Sequence, residues 1–335
     1  METLGPQHSR RLAFFIVGAF VVAAIVLVVL NVGDITDFME QSARADPRWL
    51  AAAVASQLMT YACVVLVWRR VLKSMGFSLG FLRLYPLAIA KMFSDQAVPS
   101  GGVAGAAFLF RALGRRGVPY ANAFTVFSFT AVTFFAAFLL AASISLAAIA
   151  TVDDASPALS TSIAAFAAAV SILVLAVSAI ALLGAKPPPA LKRIPYYDDF
   201  SEWIRRSATF FATERRLFLE ATMIHFVVRA FDGMTLYLVI LAIGGASSPA
   251  ICFFAAVFAS IAATVAPIPM GLGTFEAGMI ATLSLFGSSV EEALAATLIF
   301  RGLSLWLPML PGLLIVQREI LGASETVNHS PADIA

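Results

Sequence analysis

Charged residues are scarce in this sequence, and their scarcity excludes most classes of soluble protein. Asp, Glu, Lys and Arg make up 13% of the 335 residues, whereas a soluble domain carries about a quarter. The formal net charge is only +2, so nucleic-acid binding has no electrostatic basis. Apolar residues reach 60% and recur in runs of about 18 or more, the length that a helix needs to cross a hydrocarbon core. The sequence therefore predicts an all-α polytopic membrane protein.

The motifs of enzymes, metal sites and disulfide frameworks are also missing. The two cysteines, Cys63 and Cys252, lie in apolar runs without CxxC spacing, which is typical of small packing residues. The chain has no HExxH, no GxSxG and no Walker-type loop, and its Gly-rich stretches do not follow strands. We therefore expect no enzyme activity, no metal and no cofactor.

Eight apolar stretches are present instead. Six are long enough to be full transmembrane helices: residues 12–30, 49–67, 119–150, 159–183, 217–243 and 293–316. Two more, at 79–113 and 249–286, are interrupted by "VPSGG" (98–102) and "PIPMGLG" (267–273). Each interrupted stretch is either one kinked span or a re-entrant hairpin of two half-helices.

The distribution of basic residues favours re-entrant hairpins, because cytoplasmic loops carry an excess of Lys and Arg. With a cytoplasmic amino terminus and two hairpins, only Arg44 and Arg48 lie outside. The basic residues that then face the cytoplasm are Arg69, Arg70, Lys73, Arg83, Arg111, Arg115, Arg116, Lys186, Lys192, Arg193, Arg205, Arg206, Arg215, Arg216 and Arg318. A single crossing at 79–113 would place the clusters at 69–73 and 111–116 on opposite sides. We therefore predict a multi-pass protein of the bacterial inner (cytoplasmic) membrane with both termini cytoplasmic.

This topology divides the chain into an inverted repeat, a plan common among secondary transporters. The first half covers 1–150 and the second 151–318, and three full spans per half invert the second relative to the first. Chance similarity between Ala- and Gly-rich helices is the alternative. The polar segment 184–216 is a predicted cytoplasmic linker with an amphipathic helix that either lies on an anionic leaflet or packs on the bundle. The tail 319–335 is polar, and we expect disorder there.

Six charged residues fall inside predicted hydrophobic segments. They are Lys91, Asp95, Arg229, Asp232, Glu276 and Arg301. At about 2.5–3.5 kcal/mol each, independent charges would cost on the order of 15–20 kcal/mol, so they must pair or face a wet cavity. Spacings of i,i+4 and i,i+3 predict the pairs Lys91–Asp95 and Arg229–Asp232. Glu276 and Arg301 have no local partner, and we hypothesise that they contact each other.

The two Pro/Gly breaks are the other candidate substrate-binding elements. Their residues are Pro99, Gly101 and Gly102 in the first break and Pro267, Pro269, Gly271 and Gly273 in the second. A half-helix that begins inside the membrane directs free N–H groups and the positive end of its dipole inward, which would attract an anion. His225, one turn before Arg229, is either a proton-relay residue or an ordinary hydrogen-bonded histidine.

The second half resembles a known family. Pro267, Pro269, Gly271, Gly273 and Glu276, followed by Gly287, Arg301, Pro308 and Gly312, resemble the flippase-like family of the lysylphosphatidylglycerol synthase transmembrane domain. The likeness extends over about 12–318, although Met270 stands where the family usually has glycine. In the first half "VPSGGVAGAAFLFRALGRRGVP" keeps the break, Arg111 and Gly117, but Val103, Ala104 and Gly105 replace a region where relatives often carry charge. Because the chain ends at Ala335, the resemblance implies the translocating part without a synthase domain.

Three functions remain open from the sequence. The leading expectation is a flippase, a lipid transporter that moves an anionic or otherwise modified amphipathic lipid between leaflets through a polar cavity at the re-entrant tips. The alternatives are a proton-coupled transporter of a small anionic solute and an intramembrane lipid-glycan transferase or biogenesis factor. The expected partner is a membrane lipid substrate; the sequence also allows a homo-oligomer and a lipid-synthesising enzyme partner.

Overall fold

The computed structural model describes residues 45–97, 102–150, 197–265 and 271–327, with a few isolated positions between 161 and 172. All regular secondary structure in these ranges is helical. The predicted spans 12–30 and 159–183 lie wholly or almost wholly outside the described residues, as do 184–196 of the linker and the tail beyond 327.

Four helices of the first half are described. They are α1 (Pro47–Ser74), α2 (Phe81–Ala97), α3 (Val103–Gly114) and α4 (Tyr120–Ala150). The start of α1 is fixed by Pro47 at the first helical position and by Asp46, whose carboxylate accepts a hydrogen bond from the Arg48 amide at 2.8 Å. Left-handed glycines, Gly76 and Gly117, lie in the turns after α1 and α3, where a residue with a Cβ would be strained.

The second half repeats this order. Its helices are α6 (Arg215–Ala242), α7 (Pro249–Val265), α8 (Thr274–Leu285) and α9 (Val290–Arg301), after which a π-helical segment (Gly302–Trp306) leads into α10 (Leu307–Val327). Helices α1 and α6 both have 28 residues, α2 and α7 both have 17, and α3 and α8 both have 12. Left-handed Gly244 and Gly287 follow α6 and α8.

Within the described ranges, four helices are long and apolar enough to cross a membrane: Pro47–Ser74, Tyr120–Ala148, Arg215–Ala242 and Val290–Glu319. They coincide with four of the predicted spans, those at 49–67, 119–150, 217–243 and 293–316. The structure therefore confirms an all-helical membrane protein.

Helices α1 and α6 pack antiparallel along their whole length. At one end the Asp46 amide donates to the Ala242 carbonyl at 2.8 Å, and near the middle the Thr235 hydroxyl donates to Ser56 Oγ at 3.0 Å. At the other end Arg70 pairs with Glu220 at 2.5 Å. Ser56 and Thr235 are small residues, which let the two helices approach closely.

Both interrupted stretches are pairs of helices separated by a break. In the second stretch the contacts run antiparallel: the rings of Phe254 and Phe286 lie 5.8 Å apart, while Gly278 lies against Ala259 and Gly271 against Ala263. In the first stretch the end of α2 meets the start of α3, where Asp95 accepts a hydrogen bond from the Gly105 amide at 3.1 Å. Each stretch therefore forms a pair of packed helices rather than one continuous helix.

The linker helix α5 (Tyr197–Thr213) packs on the bundle, the second of the two interpretations that the sequence leaves open. The Phe129 ring of α4 stacks on Phe211 at 4.9 Å and meets Phe210 edge-on at 5.4 Å. Ser207 and Thr125 share a buried hydrogen bond of 3.1 Å. The opposite face stays polar, and there Glu202 pairs with Arg206 at 2.8 Å.

The last helix packs against the first hairpin. Gly312 lies on α2 so closely that a Cβ there would be 2.4 Å from Phe93 Cβ. Glu319 forms ion pairs with Arg116 at 2.6 Å and Arg115 at 3.6 Å, just beyond α3. Helix α10 continues to Val327, into the segment 319–335 for which the sequence predicts disorder.

Candidate functional site

A cavity of about 530 Å³ lies among the described helices, bordered by α1 to α4, α6 to α8 and the last span. Gly102 of the first break lines it together with the neighbouring Gln96, and Ala263 and Phe275, which lie on either side of the second break, line it as well. Its volume falls within the range of about 300–1,000 Å³ that is typical of ligand pockets.

Lys91 and Asp95 line the cavity on α2. Lys91 Nζ lies 2.5 Å from Asp95 Oδ2, and both side chains are partly buried. The other carboxylate oxygen of Asp95 accepts from the Gly105 amide in the first turn of α3. A Cβ at position 105 would lie 2.1 Å from that oxygen, so only glycine allows the contact.

Arg229 and Asp232 line the cavity from α6, where they form an ion pair of 3.2 Å. The Arg229 guanidinium also lies over the rings of Phe134 and Phe138, at 4.8 and 5.8 Å from their centroids, an arrangement in which the ring faces attract the cation. One charge pair is thus held in a largely aromatic wall.

Glu276 and Arg301 are in contact, as the sequence analysis hypothesised. Arg301 Nε donates to Glu276 Oε1 at 2.6 Å, and the second carboxylate oxygen accepts from the Gly273 amide at 2.7 Å. Arg301 lines the cavity, and its guanidinium lies 4.8 Å from the Phe275 ring centroid. The π-helical segment begins directly after Arg301; such bulges are frequent at functional sites.

His225 lies one turn before Arg229 on the cavity wall. Its Nδ1 shares a 3.1 Å hydrogen bond with the Thr133 hydroxyl. Its Nε2 is buried and has no hydrogen-bond partner among the described residues.

The glycines of the breaks adopt the conformations that the predicted breaks require. Gly102 (φ 90°), Gly271 (φ 62°) and Gly273 (φ 83°) are left-handed, and Gly102 and Gly273 immediately precede the second helix of each pair. Pro99, Gly101, Pro267 and Pro269 lie outside the described residues.

The amino-terminal ends of α3 and α8 already carry carboxylates of the protein. Asp95 accepts from Gly105 and Glu276 from Gly273, which is where the helix dipole favours negative charge. These ends are the predicted anion site. In the described structure their attraction for negative charge is met by Asp95 and Glu276, and each of these carboxylates also neutralises a cation.

Sequence reasoning missed a second set of cavity residues, all on α1: Gln57, Thr60, Tyr61 and Trp68. Their helical spacing places them on one face of a span, a signal that the sequence contains. They carry no charge, so the sequence analysis, which searched for charges that are costly to bury in a membrane, did not single them out. In the described part of the chain no three His, Cys, Asp or Glu side chains converge as a metal site would require.

Comparisons with known proteins place the chain in a family. A comparison with curated proteins finds none that matches. The family described as "Lysylphosphatidylglycerol synthase TM region" matches residues 15–312, most of the chain, and this links the protein to lipid biology. The chain therefore belongs to the lysylphosphatidylglycerol synthase transmembrane-region family.

Proposed function

We propose that this protein is a lipid transporter of the bacterial cytoplasmic membrane that moves an amphipathic lipid between leaflets and has no enzymatic activity. The observation that carries the proposal is the grouping of three opposite-charge pairs around one cavity, at Lys91–Asp95, Arg229–Asp232 and Glu276–Arg301. Charges within membrane spans are costly, and they characterise substrate pathways more often than structural cores.

We also infer that the two halves form an inverted repeat, a plan common among transporters. The equal lengths of α1 and α6, α2 and α7, and α3 and α8 fit a six-span plan with two re-entrant hairpins. In such a plan equivalent helices of the two halves run in opposite directions, as α1 and α6 do. Transporters with inverted repeats bind substrate between their halves near the bilayer midplane, and the cavity is bordered by residues from the helix pairs of both halves.

The physical role of the cavity follows from the cost of taking a polar head group through hydrocarbon. A head group inside the cavity would exchange water for the hydrogen-bonding groups of the wall, while its acyl chains stayed among lipid tails. The balance of positive and negative side chains favours this role over an ion pore. Ion pores often carry rings of charge of one sign, whereas the charged residues described around this cavity form opposite-charge pairs.

A liposome assay tests the function directly. The full chain is reconstituted with lipids labelled on the acyl chain, and dithionite quenching reports how fast inner-leaflet label reaches the outer leaflet. We expect Glu276→Gln and Arg301→Gln to slow movement by at least about tenfold, since each removes the ion pair between α8 and the last span that borders the cavity. Glu202→Gln, at the exposed pair on α5, is the matched control and should match the wild type.

The same liposomes separate the competing functions. Unchanged lipid movement in both Glu276→Gln and Arg301→Gln would refute the assignment of this site. Substrate-dependent proton flux without lipid movement would instead identify a proton-coupled solute carrier. Covalent conversion of the added lipids, detected by mass spectrometry, would identify a transferase.

A further inference from the structure

Four polar atoms of the cavity wall lack a hydrogen-bond partner among the described residues: Gln57 Oε1, Tyr61 Oη, Trp68 Nε1 and His225 Nε2. All four side chains are at most 5% exposed. Buried polar groups in native proteins are nearly always satisfied, and leaving one unsatisfied costs free energy. Because four unsatisfied polar atoms border one cavity, we expect a bound ligand or water in the cavity to form the missing hydrogen bonds.

Three of these residues form a polar stripe on α1. Gln57, Tyr61 and Trp68 are spaced i, i+4 and i+11, so their directions agree to within about 40° around the helix axis, and the stripe is about 16 Å long at 1.5 Å per residue. The intervening Val64 also borders the cavity. The stripe therefore runs along the wall for about half the thickness of a hydrocarbon core, which is about 30 Å.

The stripe offers both donors and acceptors. The Thr60 hydroxyl donates its only proton to the backbone carbonyl of Gln57 at 2.6 Å. Towards the Gln57 side chain it can therefore only accept, so the side-chain NH₂ group of Gln57 is the end that faces Thr60. The unsatisfied atom of Gln57 is then an acceptor that needs a donor. The Trp68 indole N–H can only donate, while the Tyr61 hydroxyl can do both.

Equivalent positions of α6 carry different chemistry. Gln57 and Tyr61 are the eleventh and fifteenth residues of the 28-residue helix α1, and His225 and Arg229 hold the same places in α6. The eighteenth positions, Val64 and Asp232, also border the cavity. The cavity thus has a neutral polar wall on α1 and a charge-bearing wall on α6.

We infer that the cavity binds an uncharged, hydroxyl-rich head group, a sugar or polyol carried on a lipid. This inference rests on the proposed function and specifies its substrate class. A hydroxyl both donates and accepts, so it satisfies Gln57 Oε1 and the Trp68 N–H alike. A phosphate diester only accepts and an ammonium only donates. The charged groups favour the same class, because the three carboxylates are paired with cations and two of them also cap helix ends.

Binding to purified full-length protein tests the inference. The probes are monoglucosyl diacylglycerol, phosphatidylmethanol (a phosphate diester without a hydroxyl) and a diacyl lipid with a primary-ammonium head group, all with the same acyl chains, and free glucose. The variants are Tyr61→Phe and Gln57→Leu, which remove one unsatisfied atom each. The matched control is Thr222→Val, which removes a buried hydroxyl that also lacks a partner among the described residues but does not border the cavity.

The glucosyl lipid should bind at least about tenfold more tightly than the two charged lipids or free glucose. Each α1 variant should weaken its binding by about two- to tenfold, the effect of losing one hydrogen bond, and Thr222→Val should not. Without ligand, Tyr61→Phe should unfold at the same temperature as the wild type or higher, since it deletes an unsatisfied buried group. Gln57→Leu also loses the 3.4 Å hydrogen bond from its NH₂ group to Thr60, so Tyr61→Phe is the variant in which binding is compared with stability. A residue with a merely structural role would not combine unchanged stability with weaker binding.

Other results overturn the inference. Equal affinity for phosphatidylmethanol would refute the preference for hydroxyl groups. Unchanged binding of the glucosyl lipid by both α1 variants would mean that the head group does not contact the stripe. If free glucose bound as tightly as the glucosyl lipid, the ligand would be a soluble sugar rather than a lipid. If every labelled lipid moved at one rate in the liposome assay, the selectivity would be refuted but the transport function would not. If the glucosyl lipid bound selectively but no lipid moved, transport would be refuted and the head-group assignment would remain.

Discussion

The contact between Glu276 and Arg301 should be one of the strongest side-chain interactions in the described structure. Arg301 has only 8% of its side chain exposed and Glu276 19%, so solvent screens the pair weakly. Removing one partner of a buried ion pair typically costs about 3–5 kcal/mol, because the other charge remains without compensation. We expect the lower end, about 3 kcal/mol, for Glu276→Gln, since Glu276 is partly exposed and the Phe275 ring still attracts the guanidinium.

A double-mutant cycle isolates this interaction from the packing of either side chain. The variants are Glu276→Gln, Arg301→Gln and their combination, and the free energy of unfolding is measured by denaturant titration in mixed micelles. Glutamine at 276 keeps an oxygen that can accept from the Gly273 amide, so the helix cap is retained. We expect a coupling energy of about 2–3 kcal/mol, at the upper end of what contacting residues show.

The pair Glu202–Arg205 on α5 is the control for this cycle. Its side chains are 35% and 77% exposed, and exposed pairs contribute at most about 1 kcal/mol. A coupling energy for Glu276 and Arg301 below about 0.5 kcal/mol, or no larger than that of the control pair, would refute the argument that these two charges stabilise each other inside the membrane.

Two glycine substitutions test the packing around the first hairpin by the same titration. Gly105→Ala should displace Asp95 and destabilise the protein by about 1–3 kcal/mol, because its Cβ would fall 2.1 Å from the carboxylate. Gly312→Ala should cost a similar amount, since its Cβ would meet Phe93 at 2.4 Å. Gly302→Ala, where no atom lies within 4 Å, is the control and should be neutral or stabilise by up to about 1 kcal/mol; a loss there as large as in the other two would contradict the steric explanation.

Much of the site could be predicted because buried charge is expensive. Lys91, Asp95, Arg229 and Asp232 are conspicuous in apolar segments, and their spacing along a helix identifies the partners. Glu276 required a second step: without a local partner it needs a cation from elsewhere, and the charge balance leaves Arg301. Long apolar runs likewise predicted the four described spans, since a helix that crosses hydrocarbon must satisfy its own backbone.

The stripe on α1 could not be predicted by the same reasoning. Tyr and Trp are common towards the ends of membrane helices, and a neutral polar side chain such as that of Gln57 costs less to bury than a charge, so it does not by itself demand a partner. Their importance depends on which helix face is covered, which is a property of tertiary packing. The π-helical segment after Arg301 is similarly invisible, because Pro308 predicts a disturbed helix but not the kind of disturbance.

The two hairpin tips solve one electrostatic problem in different ways. In each, a carboxylate stabilises the start of the second helix and also neutralises a cation at the cavity. At the first tip the carboxylate, Asp95, belongs to the preceding helix and reaches across the break to Gly105. At the second, Glu276 belongs to the helix that it caps, and its cation, Arg301, comes from the last span. Each of these carboxylates therefore contacts both a cation at the cavity and the first turn of a helix. We expect that a ligand competing for either cation would also disturb the start of that helix.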